Sequence, residues 1–231
     1  MNSTTFFRSI IIESNISGGK MFAIVRYKKY GLIRFLSAIE TSNAIERNLR
    51  RSGLPLIMTE GFHQKVKVSY LDPVPTGVIN LALYVRIAFK NKVEALNKLK
   101  RTSLCGLYPV KLWWTEMNMN RLVTSYEFRL IIPKSSVDIS RYDEEKPLEV
   151  PEKRKYGLVK DFFHQVSFDF KGDFAVIKYL QPKDKMVHAK YLYESILNRR
   201  DGFLLIECTE AFCNERPLSE ILEESSWDTE C

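Results

Sequence analysis

The chain lacks any apolar run approaching the roughly 18–20 residues that a membrane-spanning helix needs. Phe6 to Ile12 comes nearest, but Arg8 interrupts it and no small-residue cleavage site lies beyond it, so a signal peptide is not expected. Cysteine is sparse. Cys105, Cys208, Cys213 and Cys231 include no C-x-x-C pair, which argues against a zinc site or an iron–sulfur cluster built from them. Reduced thiols in a cytoplasmic protein are expected instead. Histidine is sparser still, with His63, His164 and His188 far apart. No P-loop, G-x-G-x-x-G, G-x-S-x-G or H-E-x-x-H motif is present, so the common nucleotide, hydrolase and metalloprotease chemistries have no signature here. Neither a metal nor a cofactor is expected.

What is present is an ordinary globular composition, 45% apolar over 231 residues, enough for one domain or two small ones. The net charge of +7 is unevenly spread. Residues 1–77 carry 11 Lys/Arg against 5 Asp/Glu, residues 78–206 carry 23 against 15, and residues 207–231 carry 1 against 8. A basic body with an acidic tail suggests a polyanionic partner; the plainer alternative is a solvated lysine-rich surface.

Residues 1–20 differ in character from the rest of the chain, and Met21 comes directly after them. They read either as an N-terminal arm or as an over-extended start, with Met21 as the native first residue. Met21–Lys28 reads as a strand, Lys29-Tyr30-Gly31 as a turn and Leu32–Leu36 as a short extended run completing a hairpin. Ser37-Ala-Ile-Glu40 is a capping box that opens a helix to about Arg51, with Gly53 as its stop and Ile39, Ile45 and Leu49 as its inward stripe. Leu54–Thr59 and Lys65–Tyr70 read as strands around an exposed loop, the second alternating so that Lys65 and Lys67 face away from Val66 and Val68. Strands are expected at Val78–Phe89 and Tyr108–Thr115, with a helix over Lys92–Lys100 between them. A second set comes next: Ser125–Ile132, a hairpin of Phe163–Phe170 with Phe174–Leu180, a helix over His188–Asn198, and a strand at Phe203–Thr209. Pro217–Glu224 suggests a short acidic helix before a frayed end.

This order predicts an α+β fold. Residues 21–120 form a ferredoxin-like split βαβ antiparallel sheet with helices on one face. Residues 121–211 form a second, smaller, partial ferredoxin-like half with a flexible insertion at 134–155, and residues 212–231 form an acidic tail.

The stretch from Arg26 to Gly77 holds the candidate site residues. Arg34, Arg47, Arg50, Arg51, Lys65 and Lys67, with the loop residue Phe62, would make a polyanion- or partner-binding face on the helix and the adjacent strand. Read structurally, the arginines are cations favoured at a helix C-terminus. His63 and Glu60 are the candidates for a general acid/base pair. Trp113-Trp114 offers either a stacking platform for bases or packing against a core.

Laid out in this way, the chain resembles a bacterial radical-SAM-associated domain family, encoded beside or fused to cobalamin-binding radical S-adenosylmethionine proteins. The residues that carry the resemblance are Arg26, Lys29-x-Gly31-x-x-Arg34-Phe35-Leu36-Ser37, Arg50-Arg51-x-Gly53-Leu54-Pro55, Glu60-Gly61-Phe62, Lys67-Val68-Ser69, Pro73-x-Pro75-x-Gly77 and Tyr126-Glu127-Phe128-Arg129. They span about residues 22–132. The family's Ser-His-Leu-Asp reads Ser37-Ala38-Ile39-Glu40 here, and its Gly-Phe-Asn-Pro-His-Pro loop reads Gly61-Phe62-His63-Gln64-Lys65-Val66. Two family histidines are therefore replaced, by Ala38 and Lys65.

The resemblance implies a radical-SAM/cobalamin-binding protein as partner. The chain lacks the C-x-x-x-C-x-x-C that a radical-SAM cluster requires, so it is not itself the radical enzyme. The expected function is a non-catalytic accessory or binding module that works with such an enzyme and contacts RNA or another polyanion through its basic face, without a membrane. The alternative is a ferredoxin-like RNA-processing enzyme, a nuclease or transferase using His63. A third arrangement is a protein scaffold whose acidic tail caps its own basic face.

Overall fold

Two short repeats of strand and helix share one sheet. The structure, a computed structural model, describes residues 20–72, 74–151, 154–197 and 204–231. The expected arm at the N-terminus, the helix end at Asn198 and the strand start at Phe203 lie outside those residues.

The first half runs β1 (Met21–Lys29), α1 (Ala38–Arg51), β2 (Val68–Tyr70), β3 (Ile79–Phe89), α2 (Leu96–Thr102) and β4 (Leu107–Trp114). Its strands pair antiparallel in the order β4-β1-β3-β2, the order a split βαβ arrangement requires. After a short helix α3 (Met119–Leu122) come β5 (Ser125–Pro133), a small hairpin of β6 (Pro147–Val150) and β7 (Lys155–Leu158), and α4 (Val159–Phe162). Next are β8 (His164–Lys171), β9 (Phe174–Pro182), α5 (Lys190–Ile196) and β10 (Leu205–Cys213). The long strands of this half line up as β10-β5-β9-β8, again antiparallel and again fourth, first, third, second in chain order. The hairpin and α4 stand where the first half has α1. The chain closes with β11 (Arg216–Pro217), α6 (Leu218–Ser225) and β12 (Asp228–Glu230).

β3 and β10 join the halves through a short parallel ladder, Ile79 with Glu207 and Asn80 with Cys208, giving a ten-stranded sheet. Each half keeps its helices on one face, but the faces are opposite. Ala23, Val25, Ile87 and Trp114 pack under α1 and α2 with Ile45, Leu49, Leu96 and Leu99. On the other side Ile24, Tyr84 and Trp113 join the core that Phe128, Leu130 and Tyr179 share with α4, α5 and α6.

Several expectations need correction. Leu32–Leu36 is not extended: Gly31–Phe35 is a 3-10 turn, held by the buried Lys29, whose Nζ donates to the Leu36 carbonyl at 2.7 Å. Ile39 is 74% exposed rather than inward. Leu54–Thr59 makes only isolated bridges, Leu56 with Phe89 and Met58 with Val66. The insertion at 134–155 carries 3-10 turns and β6.

The acidic end is not frayed either. α6 buries Leu218, Ile221 and Leu222, and β12 pairs with β4. α6 lies across the sheet from α1, and among the described residues no ion pair joins residues 212–231 to Arg47, Arg50 or Arg51.

Candidate functional site

α1 begins as its sequence dictates. The Ser37 side chain accepts from the Glu40 N–H at 3.2 Å, and the Glu40 carboxylate accepts from the Ser37 N–H at 2.8 Å. These hydrogen bonds favour the ionised form and hold the Glu40 carboxyl below its ordinary value of 4.5. The helix ends at Arg51, and Gly53 lies just past it at φ +64°, a conformation that costs an L side chain.

At that end Arg47, Arg50 and Arg51 are exposed. Arg50 donates to the Glu46 carboxylate one turn back and, through Nη2, to the Gln64 carbonyl at 2.5 Å. The helix terminus is thereby tied to the loop beyond it. That loop is folded back tightly. Thr59 N–H donates to the Lys65 carbonyl at 2.7 Å, Lys65 N–H to the Thr59 hydroxyl at 3.0 Å, and Lys67 N–H to the Ile57 carbonyl at 2.9 Å. Leu54, Leu56 and Val66 anchor it in the core, while Lys65 and Lys67, on either side of Val66, are exposed.

At the tip, Phe62 is 98% exposed, and the His63 ring meets it edge-on at 5.1 Å. Glu60 is exposed in the same loop and makes no hydrogen bond with His63. Beside the loop, burial and the neighbouring Glu46 push the Tyr70 phenol up to about 12.

Of the candidate residues, the structure thus brings Arg47, Arg50, Arg51, Phe62, His63, Glu60 and Lys65 to one end of α1, with Lys67 immediately before β2. Arg34 is elsewhere. It precedes α1, so the length of a 14-residue helix, about 20 Å, separates it from Arg51. Its guanidinium lies over the Phe35 ring at 4.6 Å, and its carbonyl accepts from the Gly77 N–H at 3.0 Å.

Trp113 and Trp114 offer no stacking platform. Both are fully buried, one in each core, because β4 is covered on both faces. Trp114 Nε1 donates to Glu230. Cys208 and Cys213 are buried as free thiols, the latter pushed up to about 11 by burial, so neither is a ready nucleophile. Among the described residues no cluster of three or more His, Cys, Asp or Glu is placed to hold a metal ion. No described helix is long and apolar enough to cross a membrane.

Two features escape a reading of the sequence. The helix-free face of the second half carries Glu127, Arg129, Lys178 and the buried Glu207, with Arg129 and Glu207 ion-paired. Part of it is a cleft of about 470 Å³ lined by Glu127, Gln165, Ser167, Lys178, Asn214 and Glu215. The other is the seam between the halves. There the Arg26 guanidinium donates to the Leu81 carbonyl at 2.9 Å, the Thr209 carbonyl at 2.8 Å and the Glu210 carboxylate at 3.0 Å. Glu210 also accepts from Tyr84 and Ser219. Alternation cannot reveal such a seam, because its partners lie some 180 residues apart in sequence.

Residues 23–154 match the model of a family described as an uncharacterized protein conserved in bacteria (DUF2344). The chain belongs to this family. The family span covers α1, the 60–67 loop and β5, and it stops before Glu210, the partner of Arg26. No curated protein matches the chain.

Proposed function

We propose that the chain is a non-catalytic accessory module that works in the cytoplasm beside a radical-SAM/cobalamin-binding enzyme. It holds RNA, or another polyanion of the same charge density, against the C-terminal end of α1 and the 60–67 loop. The radical-SAM association is supported by the resemblance from Arg26 to Arg129. The observation that carries the binding face is the Arg50 hydrogen bond to the Gln64 carbonyl, which sets two cationic segments side by side.

Arg47, Arg51, Lys65 and Lys67 are exposed around that joint, and none of them is ion-paired among the described residues. Such side chains suit phosphate, since free guanidinium and ammonium groups replace condensed counterions on a polyanion. Phe62 stands out from the loop tip without packing into either core, and an aromatic ring so placed suits an unpaired base.

The test is binding to a fluorescent single-stranded RNA at several salt concentrations. Wild type is expected to bind with a falling log–log salt dependence. Arg47→Glu with Arg51→Glu is expected to weaken binding by about 1–3 kcal/mol and to flatten the slope by about 1–2. Salt-independent binding, or a double variant equal to wild type, would overturn the proposal.

A further inference from the structure

The opposite end of α1 carries a different surface. Leu32 is 86% exposed, Ile39 74%, Phe35 54% and Tyr30 43%, all within ten residues of chain. Leu32 and Phe35 are three apart on the 3-10 turn, where such side chains eclipse and share a face. The Tyr30 N–H donates to the Gly106 carbonyl at 2.8 Å, which seats the α2–β4 connection, with Leu104 40% exposed, beside them. That seating is close: Gly106 stands at φ +83°, and a Cβ there would meet the Tyr30 carbonyl at 2.7 Å. Solvent-facing Leu and Ile at this density are unusual on a monomer and mark an interaction surface.

The charge around them is mostly cationic, Glu40 next to Ile39 being the one carboxylate in the adjoining stretch. In 28–39 and 98–108, Lys28, Lys98 and Arg101 are exposed and Arg34 and Lys100 half-exposed, while Lys29 is buried and spent on the Leu36 carbonyl. We infer that this corner docks a partner protein through an apolar stripe rimmed by carboxylates, such as an amphipathic acidic helix. The inference rests on the reading of the chain as an accessory module, but it uses a surface distinct from the polyanion face.

Charge chooses among the occupants. A second copy of this chain would set cations against cations across a twofold axis. An anionic lipid surface would meet the Glu40 carboxylate next to Ile39, kept ionised by the Ser37 N–H. RNA has no use for Leu32 and Ile39. A protein can supply apolar contact, acidic rim groups and a donor for Glu40 together.

The probe is a fluorescent helical peptide of about 15 residues with a leucine stripe flanked by glutamates, compared with the same peptide flanked by lysines. The glutamate peptide is expected to bind at least about tenfold more tightly and to shift backbone amide resonances in 30–39 and 104–108. Leu32→Asp with Ile39→Asp is expected to weaken it by at least about tenfold. Arg101→Glu, at an exposed position that leaves the apolar stripe intact, should lower the preference for glutamate over lysine. The Leu32→Asp/Ile39→Asp variant should still bind RNA, so loss of RNA binding by wild type would damage only the preceding proposal.

Equal affinity for the two peptides would overturn the inference, as would shifts confined to 60–67. So would wild-type dimers, or capture by phosphatidylglycerol vesicles, that the double substitution abolishes.

Discussion

The Arg26 guanidinium reaches past β3 to β10 beyond the Ile79–Asn80 pairing, where those two strands part. It supplies donors to two backbone carbonyls that the ladder leaves open and a counter-charge to Glu210. Removing one partner of a fully buried pair costs about 3–5 kcal/mol. This pair is part-buried and Glu210 would keep Tyr84 and Ser219 as donors, so the cost lies at the lower end. Arg26→Met is therefore expected to lower unfolding free energy by about 3 kcal/mol in urea melts. Arg26→Lys should recover little, because an ammonium cannot span three acceptors in a fixed fork. A loss below about 1 kcal/mol would show that the seam does not depend on this residue. Glu40 gives a pH-dependent counterpart. Its carboxyl is held below 4.5 in the folded protein, so its contribution is present above that pH and lost as pH falls through the lowered value. The stability gap between wild type and Glu40→Gln should therefore be widest at neutral pH and close on acidification. A gap that widens in acid would contradict the capping geometry.

Elements are legible in the sequence where one rule governs them and obscure where two faces or distant segments compete. The capping box marks the start of α1, and alternation finds β5, because one-sided burial writes itself into the sequence; β8 and β9 are legible as a hairpin rather than by alternation. The inward stripe of α1 is misjudged because it is partly polar. Thr41, Ala44, Ile45, Asn48 and Leu49 are buried, and Asn48 bonds the Tyr27 hydroxyl at 2.9 Å and the Leu99 carbonyl at 3.0 Å. A reading based on hydrophobicity places Ile39 inside and overlooks Asn48. β4 is ambiguous because it is buried on both faces, which erases alternation at Trp113-Trp114. Of the candidate site, the cations and Phe62 are legible as residue types. Their grouping depends on the folding back of the 54–67 loop, which leaves Arg34 outside it. α2 shows how a distant segment completes an element. Ala95 has no side-chain cap of its own, and the Glu230 carboxylate accepts from the Ala95 N–H at 2.9 Å and the Leu96 N–H at 2.6 Å. Glu230→Ala is expected to cost about 1 kcal/mol and to speed amide exchange in α2 before α1. Unchanged exchange in α2 would mean that the helix does not need the cap.

At the scale of the whole molecule, the two repeats do not form two independent bodies. The first half's sheet presents Ile24, Tyr84 and Trp113 on the face its own helices do not cover, and those side chains are buried in the core shared with α6 and the second half. Exposing them would cost about 5–9 kcal/mol, comparable with the whole stability of an ordinary domain. For the same reason, deleting residues 212–231 cannot serve as a clean test of charge masking, since it strips Leu218, Ile221 and Leu222 from the shared core. A fragment ending at residue 122 is therefore expected to lack a cooperative thermal transition and near-ultraviolet circular dichroism. Adding a separately expressed 123–231 fragment should restore both, because the β3–β10 ladder and the Arg26–Glu210 pair can form between chains as they do within one. A 20–122 fragment that melts cooperatively on its own would mean that the split βαβ half is a self-sufficient domain and that the seam merely docks two finished units.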